Sequence, residues 1–174
     1  MLGPRLVGAG GTSLQPLTMS EWKSYQAMQT LPETTRFWGP RFGNYTDARY
    51  EESYRRGATD PNRVTWSIHH EGEAIGFTGI FDIDWVSRDA ETGIFIGRSD
   101  LYGRGIASEA VRLRTAFARD TLRLHRVHNW IALTNRGSRR ANEKAGYGEM
   151  GRLERAWFRS GEWVTEWLGE KLLP

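Results

Sequence analysis

The sequence predicts an α/β (α+β) domain built on a mixed sheet, and three observations carry that expectation. Val64, Trp66 and Ile68 alternate with Thr65, Ser67 and His69, the two-residue period of a half-buried strand. From Ile106 the period changes: Ile106, Ala110, Leu113, Phe117 and Leu124 are spaced 4, 3, 4 and 7 apart, which lines one face of a helix. That helix lies between two apolar stretches, Thr92–Gly97 and Val127–Leu133. A strand–helix–strand step of this kind implies a parallel pair with a right-handed crossover.

The other elements follow in chain order. Thr18-x-x-Glu21 ahead of Trp22 and Tyr25 has the form of a capping box and opens a helix to about Met28. Leu31 to Tyr45 carries Pro32, Gly39, Pro40 and Gly43 and reads as a long loop, a feature that is usually functional in a compact domain. Its aromatics Phe37, Trp38, Phe42 and Tyr45, with Trp157 and Phe158 near the C-terminus, are candidates to wall a cleft. A short helix over Thr46–Arg56 is expected to end at Gly57. Val64–His69 and Ala74–Trp85 form a hairpin about Glu71-Gly72, with Asp82 and Asp84 on one face of the second strand and Phe81, Ile83 and Trp85 on the other. Ser138–Ala145 reads as a helix stopped by Gly146, a natural C′ residue. Tyr147 to Leu173 reads as two extended stretches joined at Arg159-Ser160-Gly161. No repeat, low-complexity tract or flexible linker divides the chain, so a single domain over residues 1–174 is expected.

Composition narrows the chemistry. Apolar residues make up 39% of the 174 and charged residues 26%, which argues against disorder. There is no cysteine, so disulfides, thiolate zinc sites, iron–sulfur clusters and cysteine nucleophiles are excluded together. His69 and His70 have no second cluster at metal-ligand spacing, and no metal is expected. No apolar run approaches the roughly 18 residues a membrane span needs, and Met1 to Gly11 lacks the pattern of a signal peptide. A soluble protein in a cytoplasmic setting, without membrane partners, is the expectation. The net charge of +3 hides an asymmetry: residues 1–97 hold 9 Lys/Arg against 12 Asp/Glu, and residues 98–174 hold 15 against 9. The excess is mostly arginine, namely Arg104, Arg112, Arg114, Arg119, Arg123, Arg126, Arg136, Arg139 and Arg140. Arginine pairs well with phosphate, so the second half invites a polyanion.

The most informative segment runs from Ile94 to Ala110. A strand enters a tight turn holding Gly103 and Gly105 and passes directly into the amphipathic helix that starts at Ile106. The first N–H groups of a helix have no internal partner, and its dipole adds partial positive charge there. With side chains removed at 103 and 105 the backbone can approach a bulky anion, so the turn reads as a phosphate cradle. No Gly-x-x-x-x-Gly-Lys-Ser/Thr loop is present, and no acid closes the next strand at Leu133-Thr134-Asn135. Both P-loop and dinucleotide readings are therefore disfavoured.

Tyr102-Gly103-Arg104-Gly105-Ile106-Ala107 resembles the acetyl-CoA signature of the GNAT N-acetyltransferases. Asn135-x-x-Ser138-x-x-x-x-Glu143-Lys144-Ala145-Gly146-Tyr147 resembles its second half. Ala90-Glu91-Thr92-Gly93-Ile94-Phe95-Ile96 is similar to the strand ahead of the turn in the RimJ/RimL-like branch, which acetylates N-terminal amines of ribosomal proteins. Gly151-Arg152-Leu153 through Arg159-Ser160-Gly161-Glu162-Trp163 matches that branch's closing hairpin. The resemblance covers nearly the whole chain. It implies a mixed, mostly antiparallel twisted sheet of about seven strands flanked by about four helices. It departs at Tyr102, where the signature has Gln or Arg, and at Asn142, where many members carry a tyrosine used as general acid.

The resemblance further implies acetyl-CoA as co-substrate and direct attack of a primary amine on its thioester, without an acyl-enzyme. Backbone amides from Gly103 through Arg104, Gly105, Ile106 and Ala107 to Ser108 would hold the pyrophosphate, with Arg98, Arg104, Arg139 and Arg140 as candidate cations. A backbone N–H around Ile96, Gly97 and Arg98 would face the thioester oxygen. Glu91 is the candidate base and Ser138 the donor near the leaving sulfur. Asn135 would bond the pantetheine amides, and Asn142 is grouped with the cofactor contacts. The acceptor would be a protein N-terminus or a small amine, with a homodimer allowed. One alternative is a catalytically silent CoA-binding regulatory module. Another, a nucleic-acid binder using the arginine-rich half, is disfavoured because no recognised binding motif accompanies the basic residues.

Overall fold

A computed structural model of the protein describes residues 1–37, 46–159 and 161–174, without the side chains of Gln26 and Thr35. The chain forms β1 (Leu6–Val7), β2 (Thr12–Pro16), α1 (Met19–Met28), α2 (Pro32–Thr35), α3 (Asp47–Thr59), β3 (Val64–His70), β4 (Glu73–Asp84) and β5 (Asp89–Ile96). After a 3-10 turn at Ser99–Leu101 come α4 (Ile106–Asp120), β6 (Arg126–Ala132), α5 (Arg136–Glu143), β7 (Gly148–Arg159) and β8 (Glu162–Leu172). The strands form one eight-stranded sheet in the order β1-β2-β3-β4-β5-β6-β8-β7. Every neighbouring pair is antiparallel except β5 and β6, which are joined through α4. The mixed, mostly antiparallel architecture matches the expectation, with eight strands and five α-helices among the described residues where about seven and four were expected.

Alternation along β3 sets the two faces. Val64, Trp66 and Ile68 point to one side and pack with Ile80, Ala110, Val111, Val127 and Trp167 beneath α4. Trp66 is fully buried, donates its indole N–H to the Pro4 carbonyl at 2.9 Å and meets the ring of Phe117 edge-on at 5.1 Å. On the opposite side Leu17, Tyr25, Phe77 and Phe95 form a second core under α1. There the Tyr25 hydroxyl meets Ser67, and burial pushes the phenol up to about 12. The capping box of α1 closes reciprocally: the Thr18 N–H donates to Glu21 at 2.8 Å and the Glu21 N–H to the Thr18 hydroxyl at 3.3 Å. The second carboxylate oxygen of Glu21 takes His69 Nε2 at 2.7 Å, which fixes that histidine in a structural pair.

Three local expectations are corrected. The N-terminal strands β1 and β2 were not anticipated, because β2 gains its conformation from pairing with β3 across Leu14↔Ile68 rather than from its own polar sequence. Helix α3 continues past Gly57 to Thr59, since a glycine costs a helix only about 1 kcal/mol and does not stop it near its last turn. Asp82 has φ 49° within an irregular stretch of β4, so the alternation of Phe81 to Trp85 breaks there. Asp84 instead accepts the N–H groups of Val86 and Ser87 at 2.9 and 3.1 Å and closes the turn into β5. The expected loop aromatics Trp38, Phe42 and Tyr45, and Ser160 of the last turn, lie outside the described residues.

The start of β5 is anchored by charge. Asp89 receives Arg126 at 2.9 and 3.2 Å and His128 Nδ1 at 3.3 Å. Burial acts to raise the Asp89 pKa, but Arg126 and His128 together hold it below the ordinary value. A carboxyl depressed by folding stabilises the fold at pH values above its unfolded pKa, and that contribution fades as pH falls through the folded one. Asp89→Asn is therefore expected to cost about 1–2 kcal/mol at neutral pH, read as a lower urea midpoint. The difference from the parent should shrink below pH ~4; a constant difference across that range would contradict the pairing.

Candidate active site

The site is an opening in the sheet. Strands β5 and β6 pair only at Asp89↔Arg126, Ala90↔Val127 and Glu91↔His128. Beyond that β5 stays with β4 as far as Gly76↔Ile96, while β6 stays with β8 as far as Ala132↔Glu166. The two strands thus part like a wedge whose closed end is tied by the Thr92 hydroxyl donating to the His128 carbonyl at 3.1 Å. From Glu91 to Ile96 the open edge runs about 17 Å at strand rise.

Backbone directions along this edge follow from register. The Gly97 N–H donates to the Ile75 carbonyl at 2.9 Å, so Gly76 and Ile96 form a non-hydrogen-bonded pair. Odd-numbered residues of β5 therefore turn their N–H and C=O toward β4, and Ile94 and Ile96 turn theirs into the wedge. The same reasoning applies across the gap. The Leu173 N–H donates to the His125 carbonyl at 2.7 Å, which directs the backbone groups of Trp130 and Ala132 into the wedge. The Ala132 carbonyl is already taken by the Asn135 N–H at 2.7 Å. The remaining amides form two facing edges with no strand between them. An extended ligand bearing its own amides fits such a gap.

At the mouth lies the glycine turn. Gly103 and Gly105 have φ values of 81° and 87°, and a Cβ built at either would meet nothing within 4 Å. Glycine is needed here for the left-handed backbone, and the open space lies on the outer side of the turn. Among the described residues no side chain caps α4, whose first internal bond is Glu109 N–H to Gly105 carbonyl at 3.0 Å. The N–H groups of Ile106, Ala107 and Ser108 thus precede the helical ladder and lack a cap at the start of a 15-residue helix. Glu109, the acid of that turn, is drawn away to the Gly10 N–H at 2.7 Å. Tyr102 ties the turn to the wedge by donating its hydroxyl to the Ile96 carbonyl at 2.9 Å.

The expected residues fall into three groups. Ile96, Gly103, Arg104, Gly105, Ile106, Ala107 and Ser108 gather at the mouth, with Arg104 exposed on the turn. Glu91 is half-buried at the closed end, its side chain on the face opposite α4. Burial pushes its carboxyl above the ordinary range; His128 opposes that effect and Asp82 adds to it. Asn135 caps α5 by accepting the Ser138 N–H at 3.2 Å, which sets both residues at the end of β6 across the gap.

Four others are committed elsewhere. The Gly97 N–H belongs to Ile75 and cannot face a ligand, and Met28 packs so closely that a Cβ there would come within 2.4 Å of its sulfur. The Arg98 guanidinium is held by both oxygens of Asp100, at 2.9 and 2.8 Å. Asn142 is buried, donating to the Ser138 carbonyl at 2.9 Å and accepting from Asn129 at 2.8 Å, so its amide serves as an internal brace. Arg139 donates to the Leu133 carbonyl at 3.2 Å and pairs with Glu143 at 3.6 Å, leaving Arg140 exposed. Sequence reasoning missed the Tyr102–Ile96 tie and counted Arg114 with the anion-facing arginines. Arg114 is in fact fully buried, a placement its membership of the inner helix face could have signalled.

Comparison with known proteins agrees with this geometry. The profile of the acetyltransferase (GNAT) domain matches residues 12–148. YdaF of Bacillus subtilis (strain 168), which carries the provisional name of a ribosomal N-acetyltransferase, is 29% identical over 127 residues, covering 68% of this chain and 69% of its own. Among solved structures, spermidine N-acetyltransferase of Vibrio cholerae with CoA and spermine superposes with a TM-score of 0.84 at 19% identity, covering 93% of this chain and 95% of that one. A dodecameric form of that enzyme gives 0.79 at 19% identity, covering 93% and 94%. At such identity the likeness concerns the fold. Among the described residues no helix is long and apolar enough to cross a membrane. With the profile spanning the glycine turn, the wedge and Glu91 alike, the chain belongs to the GNAT acetyltransferases, whose acyl donor is acetyl-CoA.

Proposed function

We propose that this chain is a single-domain, RimJ/RimL-like enzyme that moves the acetyl group of acetyl-CoA onto a primary amine by direct attack. The observation that carries the reading is the wedge itself: two unpaired strand edges leading from uncapped helix amides to a half-buried carboxyl. When bound, acetyl-CoA supplies an activated thioester carbonyl. The amides of Ile106 to Ser108 and the turn at Gly103 to Gly105 hold its pyrophosphate, with Arg104 adding charge. The Ile94 carbonyl, the Ile96 N–H and Trp130 bond the pantetheine arm as a missing strand would, aided by the side-chain amide of Asn135. An N–H of β5 faces the thioester oxygen as negative charge develops. Glu91, kept partly out of water, takes the proton that the attacking ammonium must lose. As the C–N bond forms and the C–S bond breaks, the Ser138 hydroxyl donates to the leaving thiolate, which departs as the CoA thiol with the second proton shed by the attacking nitrogen.

A protein N-terminus or a small amine is the preferred acceptor. YdaF points toward the first by its name, and the structural neighbour that binds spermine toward a polyamine. The acidic groups at the closed end, Glu91 and Asp82, suit a single ammonium better than a long polycation. The test is thiol release from acetyl-CoA with three acceptor sets: peptides of varied first residue, polyamines and free amino acids. Turnover confined to one set names the acceptor. Tight acetyl-CoA binding with no turnover on any set would favour a silent CoA-binding module.

A further inference from the structure

Arg114 lies midway along α4 with no exposed surface, and the roles above leave it unused. None of the ion pairs among the described residues includes it. Its Nη1 donates to the Thr78 hydroxyl at 2.8 Å and to the Gly93 carbonyl at 2.7 Å, and its Nη2 reaches the Tyr147 hydroxyl at 3.5 Å. Thr78 in turn donates to the same Gly93 oxygen at 2.7 Å. A guanidinium this deep, with no carboxylate among the described residues to neutralise it, is unfavourable for stability on its own account. What it touches shows its use.

The Gly93 carbonyl and the Ile94 N–H belong to one planar trans peptide, in which the two groups point in opposite directions. The carbonyl faces β4 and receives two side-chain donors, and the N–H faces the wedge. Donors on a peptide oxygen draw electron density from the amide and strengthen its N–H, and the effect is larger in a low-dielectric interior. We propose that Arg114, with Thr78 as its relay, is a positioning residue for acetyl transfer. Together they polarise the Gly93–Ile94 peptide so that the Ile94 N–H meets the thioester oxygen as a strengthened donor. The inference rests on the wedge being the acetyl-CoA site. No proton moves and no bond breaks at Arg114; its charge acts on the oxygen through one peptide as the amine attacks.

The test compares Arg114→Met, Arg114→Lys and Thr78→Val. Arg114→Met is expected to lower kcat roughly tenfold or more, with the Kd for free CoA within about twofold of the parent. Arg114→Lys retains the charge and most of the rate, and Thr78→Val falls between them. A second readout is independent of turnover: the carbon-13 resonance of a carbonyl-labelled ketone analogue of acetyl-CoA that cannot transfer its acyl group. Bound to the parent it should lie downfield of its position in water, and it should move back upfield in Arg114→Met and Thr78→Val. If Arg114→Met does not fold, Thr78→Val carries both measurements. An unmoved resonance in whichever of these two variants folds, or a kcat loss matched by an equal loss of CoA affinity, overturns the inference. A parent protein that acetylates no amine overturns the proposed function and this inference with it, whereas a parent that acetylates while the resonance stays unmoved in the variants overturns this inference alone.

Discussion

Glu91→Gln is expected to lower kcat by roughly 10²-fold or more while leaving acetyl-CoA affinity unchanged, because a positioned general base contributes 10²–10⁴. The carboxyl sits where β5 and β6 still pair, half-buried, and burial raises its pKa above the ordinary glutamate value. A base must be ionised to accept a proton. The parent rate should therefore climb with pH through that raised pKa, and the variant should lack this limb. The loss is largest at pH values where Glu91 is ionised and the amine is still protonated. At high pH the amine is already free and the two rates converge. Linkage gives an independent sign. A carboxyl whose pKa folding raises favours the native state at low pH, and its ionisation opposes folding as pH rises through the folded value. Glu91→Gln should thus melt no lower than the parent at pH 7. An identical pH–rate profile, with kcat within about threefold, would remove Glu91 from the chemistry.

Gly105→Asp is expected to weaken acetyl-CoA binding about 30-fold or more, since a negative charge some 5 Å from a phosphate at an effective dielectric near 20 costs a few kcal/mol. The side chain has room, because a Cβ there meets nothing within 4 Å, and the cost of leaving glycine is the strain of the left-handed backbone. Asp and Asn are also the side chains best suited to the left-handed backbone that Gly105 adopts. Gly105→Asn therefore isolates the charge: it carries the same strain and nearly the same shape, and should bind acetyl-CoA within about fivefold of the parent. Titration calorimetry at two salt concentrations reads both, and the penalty for Asp should shrink as salt screens it. Equal effects for Asn and Asp would mean that the uncapped amides of α4 do not face the pyrophosphate.

Much of the glycine turn ahead of α4 was legible from residues alone because it is local. Two glycines, a helix start and the absence of a capping side chain lie within a few positions, and each acts through its own backbone angles. The hairpin of β3 and β4, the capping box of α1 and the crossover through α4 were legible for the same reason: their periods are written in consecutive residues. The wedge was not. It exists because β6 leaves β5 after His128 to complete its ladder with β8, more than thirty residues further along the chain.

Local sequence thus determined which segments bend, coil or extend, where helix amides are left without a capping side chain, and which carboxyl stands ahead of the turn. Tertiary structure decided which of those groups are free to act. It took the Gly97 N–H for Ile75, the Arg98 fork for Asp100 and the Asn142 amide for Asn129, and it buried Arg114 against the Gly93 carbonyl. The reason is physical: a donor's availability depends on every acceptor that folding brings within 3 Å or so, and those acceptors come from distant parts of the chain.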